Sequence, residues 1–341
     1  MRALRVMLAG LLVGMLAGLA YVAQQAEPAG AKMVAAANRF LDSLSKEQRA
    51  RATFDFDSKE RTTWHFIPLQ DKDKKSTRKG LPLVDMSPEQ KKLALDLLAA
   101  STSGVGNDQA RTVMSLEAIL REQEKKGTNV RNPEWYFFTL FGTPGKAGKW
   151  GLRVEGHHLA MNFALDGMEV VSATPFFYGS NPATIVAGPK TGQRPLEAAE
   201  QLAFDLVKSL NAGQHKIALQ EKKFPEVAPT LTPKVGDPVG LPAAKMTAAQ
   251  KDILLKLLTS YTGTLPADVA AAEMKLVKDA GFDKVHFAYQ GGTEKGQKHT
   301  YRVQGPTFVI EFLNEQADSA GNVANHIHSA WRRIKGDFGL N

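Results

Sequence analysis

Eight histidines and no cysteine are present, and His326-x-His328 is the most suggestive arrangement among them. In a strand or extended turn, residues i and i+2 face the same way, so both imidazoles would reach one metal ion. In a helix the two side chains would stand about 200° apart around the axis and share nothing. Asn322 and Asn325 ahead of the pair suggest a turn entering an irregular segment, although a helix running through Trp331 is an alternative. Without thiolates the donors are nitrogen, or nitrogen with oxygen, a set that suits Zn, Cu, Fe or Ni. The third ligand is expected from His299 or Glu311. The spare carboxylate would act as base on a water whose pKa the ion lowers, which makes Glu311, with Arg332 near the pair, the catalytic candidates. The competing structural expectation has both histidines bonded to backbone carbonyls in a packed C-terminal corner.

His157-His158 is a second candidate pair for substrate binding. Adjacent strand residues face opposite sides, so at most one of them would point into any one site, and the sequence does not choose. Glu311 lies in the apolar strand "TFVIEF" beside Val309 and Leu313; Arg302, one strand back, is its structural partner. Arg61 and Trp64 in "RTTWHFIP" could form an anion-binding or ring-stacking surface, or an exposed packing contact. The loop "TPFFYGSNPATI" over 174–185 carries Tyr178 and Asn181 and could line a pocket or close an interface. Trp331 and Arg332 neighbour the histidine pair and are weighed alike. The run "DKDKKSTRK" over 71–79 reads as a solvated loop.

The elements that must position these groups form a pattern that occurs twice. "GLPLVDMSPEQKKLALDLLAAS" from Gly80 matches "GLPAAKMTAAQKDILLKLLTSY" from Gly240. "RVEGHHLAMNF" from Arg153 matches "RVQGPTFVIEF" from Arg302, and "DSLSKEQ" from Asp42 matches "KSLNAGQ" from Lys208. Three blocks in one order predict two tandem α+β units, over 31–190 and 191–341. Helices are expected at 32–49, from a Ser87 cap with Pro88 at the first helical position, and at 108–125. Counterparts are expected at 195–212, from Thr247, and at 266–280. Alternating segments joined by short Gly-containing links predict antiparallel strands in each unit, as a meander. In the repeat His157 and His158 fall opposite Pro306 and Thr307, so each histidine cluster belongs to one copy. One composite site between the units would follow.

The chain has 341 residues, with 43 Lys+Arg against 35 Asp+Glu, and its hydrophobic content of 43% is that of a folded globular protein. Zero cysteines exclude disulfides, thiolate metal sites and cysteine nucleophiles. The net charge of +8 is scattered, which points to solubility and away from nucleic acid. Residues 1–30 carry Arg2 and Arg5 followed by an uncharged apolar run from Val6 to Ala23. That is the layout of a secretory signal, or of an uncleaved anchor that would be the chain's only membrane contact. Export to the periplasm or the extracellular space is expected. There is no phosphate loop, no dinucleotide fingerprint, no His-Glu-x-x-His, no Gly-x-Ser-x-Gly elbow, and no EF-hand or RNA-binding signature.

Taken together, "RTTWHFIP", "GLPLVDM", the Gly142-Thr-Pro turn, "VEGHHLAMNF", "TPFFYGSNPA", "YRVQGPTFVIEF" and "NHIHSAWR…DFG" resemble the domain-of-unknown-function 3500 family over about 35–339. The resemblance implies that export is common and that the histidine segments are hallmarks. His299, Glu311, His326, His328, Trp331, Arg332 and Asp337 match the family pattern. Leu313 and Arg333 stand where that pattern has Asp.

Three functions are in view. The first is a metal-dependent enzyme, a hydrolase by default or an oxidase with copper or iron. The second is a non-catalytic protein binding a small molecule or peptide in a groove between the repeats, lined by Trp64, Tyr178 and Trp331. The third is a structural protein of the cell envelope.

Overall fold

The computed structural model describes residues 27–125 and 127–340. The targeting segment expected over 1–30 falls almost wholly outside that range. No helix of the described residues is long and apolar enough to cross a membrane.

Among the described residues, eight α-helices and twelve strands alternate in two runs. Helices α1 (Ala29–Asp42), α2 (Lys46–Ala52), α3 (Pro88–Ala100) and α4 (Gly104–Gln123) precede β3 (Phe137–Gly142), β4 (Lys149–Gly156), β5 (Leu159–Asp166), β6 (Glu169–Ser172) and β7 (Phe176–Ser180). Helices α5 (Glu197–Lys208), α6 (Ala212–Ala218), α7 (Ala248–Thr262) and α8 (Ala267–Asp279) precede β9 (His286–Gly291), β10 (His299–Gln304), β11 (Phe308–Gln316) and β12 (His326–Arg333). The short strands β1 (Thr53–Phe54), β2 (Leu81–Pro82) and β8 (Leu241–Pro242) pair at the margins.

Where the sequence predicts one helix over 32–49, the chain breaks after Asp42 and restarts at Lys46. The Ser45 hydroxyl accepts from the Gln48 N–H and the Gln48 side chain bonds back to Ser45, a capping box that starts a new helix. Asn211 and Gln214 do the same before α6, Ser87 and Gln90 before α3, and Thr247 and Gln250 before α7. The glutamines then pair. Gln48 and Gln90 exchange amide hydrogen bonds of 2.9 and 2.8 Å, and Gln48 also donates to the Asp85 carbonyl. Gln214 and Gln250 repeat this at 2.8 and 2.9 Å, with the Lys245 carbonyl in the place of Asp85.

All strands join one sheet in the order β1-β3-β4-β5-β7-β12-β11-β10-β9-β8, with β2 on β3 and β6 on β5. Every pairing is antiparallel except β1 with β3. The last strands of the two runs, β7 and β12, lie side by side, so the sheet passes unbroken from 31–190 into 191–341. Alternation gives the sheet two faces. The large apolar core, with Phe138, Tyr178, Tyr301, Phe312 and Trp331, lies under the helices. The other face is covered by loops: Trp64 and Phe66 from one loop and Val227 from another pack on Phe177, Leu313 and Ala330.

Candidate metal centre

The segment after Asn325 is extended: His326 and His328 both lie on β12, two residues apart and on the loop-covered face. His157 and His158 are not strand residues. They form the two-residue turn between β4 and β5, whose flanking pair is Gly156 with Leu159. The alternation expected of them therefore does not apply, and their rings lie together, with centroids 3.8 Å apart. His158 adopts φ +61°, the left-handed region, which side-chain-bearing residues occupy only at a cost. Two backbone bonds hold it there: its N–H donates to the Phe66 carbonyl and its carbonyl accepts from the Gly179 N–H, both at 2.8 Å.

The three imidazoles meet. The Nε2 atoms of His158 and His326 are 2.9 Å apart, those of His326 and His328 3.1 Å, and those of His158 and His328 3.2 Å. Ligands ~2.0–2.1 Å from a shared ion lie about 3.3 Å apart in tetrahedral and about 2.9 Å apart in octahedral geometry. The triangle spans that interval. The outer nitrogens are engaged elsewhere. His328 Nδ1 lies 2.9 Å from a carboxylate oxygen of Glu226, and His326 has the Ala317 backbone beside it. An acceptor beside the outer nitrogen favours the tautomer that leaves Nε2 as a lone-pair donor. Burial, then the neighbouring imidazoles and Arg131, pushes His158 well below the ordinary histidine range, and the same causes push His326 down to about 3. Both rings are neutral at pH 7. Nitrogen lone pairs crowded to 2.9–3.2 Å repel one another unless a proton or a cation lies between them, so the donor set fits a metal ion. Among the described residues, His158, His326 and His328 form the group of three able to hold one. His158 and His328 are buried, and His326, at the end of its strand, is partly open.

His299 is not part of this centre. It pairs with Asn314, while His328 pairs with Leu313, so alternation puts His299 on the opposite, helix-covered face. There it stacks on Phe312 and touches Phe204, with its Nε2 3.6 Å from Glu200. Glu311 shares the face of His328 but is bound to Arg302 at 2.8 Å; burial raises its carboxyl above the usual range against the pull of that arginine. Arg332 is held by Asp337 at 2.7 and 2.8 Å and by the Thr230 carbonyl at 2.7 Å, over the Trp64 ring. None of the three lies in the His158–His326–His328 cluster.

The aromatic groove does not assemble. Tyr178 lies under the helices with its hydroxyl on the Gly106 carbonyl, and Trp331 packs there on Phe308. Trp64 is fully buried on the other face, its indole N–H on the Thr230 carbonyl. Arg61 is buried, donating to the Phe56 and Phe338 carbonyls. Asn181 is buried with its side-chain oxygen unpartnered. His157 contacts Glu117, and Arg131 bridges that histidine to Glu124.

Sequence reasoning missed Glu226 and Glu117. Nothing in "KKFPEVAPT" marks Glu226. Glu117 did carry a signal: it is a carboxylate on the same helical stripe as Val113, Leu116 and Leu120.

A family described as a protein of unknown function (DUF3500) matches residues 26–340, nearly the whole chain, and the protein belongs to it. Comparison with curated proteins and with solved structures gave no match.

Proposed function

We propose that this member of the DUF3500 family is a metalloprotein whose His158, His326 and His328 hold one divalent transition ion, zinc, copper or iron, and that it acts as a metal-dependent enzyme, a hydrolase by default. The convergence of three Nε2 atoms within 3.2 Å carries the proposal. Three protein ligands leave a coordination position for water or substrate, and an ion so held lowers the pKa of a bound water toward 7. The protein's own contribution is orientation. Glu226 and the Ala317 backbone fix two rings, and the strained turn at His158 aims the third. Glu311 and Arg332 support the site through their ion pairs and do not act on substrate. The partly open edge at His326 is the approach.

The same proposal takes the chain as two tandem related α+β units. The duplicated glutamine pairs and the central β7–β12 seam support this. The centre then draws one ligand from the first unit and two from the second. The leader-like composition of residues 1–30 supports export.

Elemental analysis of untagged protein, alongside a His326→Ala/His328→Ala double variant, tests the centre. Near-stoichiometric metal lost in the variant is the expected result, and its identity selects hydrolytic or redox assays. No metal in either protein, even after loading, overturns the proposal.

A further inference from the structure

On the helix-covered face, behind the histidines, lies a cavity of about 450 Å³, within the size range of small-molecule sites. Its polar lining includes Glu200 of α5, Asn314 of β11, Asn325 and Lys295; Val323 stands at its rim. Glu200 is 2% exposed. One of its oxygens accepts from Asn314 at 2.8 Å and the other from Arg194, which leaves acceptor capacity on a carboxylate. Behind it His299, fully buried, places Nδ1 2.9 Å from the Gln297 carbonyl, which fixes the proton on that nitrogen. Its Nε2 is then a lone pair. It has no hydrogen-bond partner and faces a Glu200 oxygen 3.6 Å away. Two acceptors facing each other in a buried position leave negative potential unmatched, and Glu200 is the member of the pair that lines the cavity. Lys295 is exposed and supplies a positive charge at the mouth.

We propose that this cavity binds a small primary ammonium compound of the α-amino acid class. The ammonium would donate to Glu200, the carboxylate would face Lys295, and the side chain would lie along Ala183, Val186 and Ala324. The site is spatially separate from the metal centre. It is linked to it through Asn314, whose amide nitrogen donates to Glu200 and whose oxygen accepts the His326 backbone N–H at 3.1 Å.

Thermal-shift and calorimetric titrations of the full chain with L-alanine, L-leucine and ethylamine, and with propionate as the probe lacking an ammonium group, test the proposal. Binding of the amino acids, weaker binding of ethylamine and none of propionate is the expected order. Glu200→Gln should weaken binding about 10- to 100-fold, the worth of a charge-assisted hydrogen bond. Because that variant alters a buried ion pair, Val323→Trp, at an exposed rim residue, provides an independent block of the mouth. No response to any amine, an equal response to propionate, or amino-acid binding unchanged in both variants would overturn it.

Discussion

Gly179 gives the sharpest test of the metal centre, because it is no ligand and yet the centre's geometry depends on it. It sits on β7 opposite His328. A Cβ built there would lie 2.9 Å from both Cγ and Cδ2 of the His158 ring and 2.9 Å from the Ile327 carbonyl oxygen. Ordinary contact begins at 3.4 Å, so Gly179→Ala requires a displacement of 0.5 Å or more. The backbone oxygen belongs to the ladder and is fixed, and the His158 ring is backed by His157 at 3.8 Å. The displacement therefore falls on the ring or on its turn. A metal site tolerates about 0.2 Å in its ligand distances, so the third nitrogen leaves the shared point. Overpacking of this kind costs about 1–3 kcal/mol, which at the centre translates into about 10- to 100-fold weaker metal binding. The assay is competition with a chromophoric chelator, with the melting temperature of the metal-free protein measured in parallel. Wild-type affinity in a folded Gly179→Ala protein would refute the reasoning, since it would mean that His158 moves freely or is not a ligand.

Chelation should lower the melting temperature. At metal 100 times above its dissociation constant the linkage term is about 2.7 kcal/mol, which for a chain of this length amounts to about 4 °C; a melting curve indifferent to metal contradicts a native-state site. Glu226→Gln should reduce metal affinity about tenfold, the usual effect of losing a carboxylate behind a ligating histidine, without altering the fold, because Glu226 is a half-exposed loop residue; unchanged affinity would remove Glu226 from the site. Glu311→Ala should destabilise the protein by about 3–5 kcal/mol by stranding the Arg302 guanidinium, while metal stoichiometry measured on the folded fraction stays at the wild-type value. Loss of metal with stability retained would restore Glu311 as a ligand.

Strand and helix types were legible because their signals are local. The Ser87-Pro88 cap and the alternation of "KWGLRVEG" each contain their own physical cause. The break in the first helix was legible in principle, since Ser45 and Gln48 have capping-box spacing, but a continuous apolar stripe reads more loudly than one polar pair. The sequence also displayed His326 and His328 as a pair. That His158 joins them was hidden by a single misplaced boundary. With His157 and His158 taken as strand, alternation separates them; as a turn, they stack, and one joins the pair. His299 lies apart from the cluster for the converse reason: proximity by one strand says nothing of face, and the register puts it one residue out of step with His328. Glu226 arrives from a loop whose path no periodicity encodes.

On the two-unit proposal, the second unit has a place equivalent to the centre, and its contents explain why one chain would hold one ion. Leu159 to Met161 pair with β7 as Phe308 to Ile310 pair with β12, and the Gly179 N–H bonds the His158 carbonyl as the Ile334 N–H bonds that of Thr307. Thr307 thus stands in the place of His158. Ser172, paired with Ala164, stands in the place of His328, paired with Leu313. The space that the second centre would need is filled by the chain's own C-terminal turn. Ser172 donates to the Gly336 carbonyl at 3.0 Å, the Phe338 N–H bonds the Thr174 carbonyl at 2.7 Å, and Gly339 packs against Ala164 and Val171. Grafting the turn alone, Pro306→His with Thr307→His, therefore supplies one imidazole to a place that has no partner for it and no room for an ion. Metal content should stay at one ion per chain in that variant, measured by elemental analysis against protein concentration. A rise to two would mean that the C-terminal turn yields and that the asymmetry of the centre rests on the histidines alone.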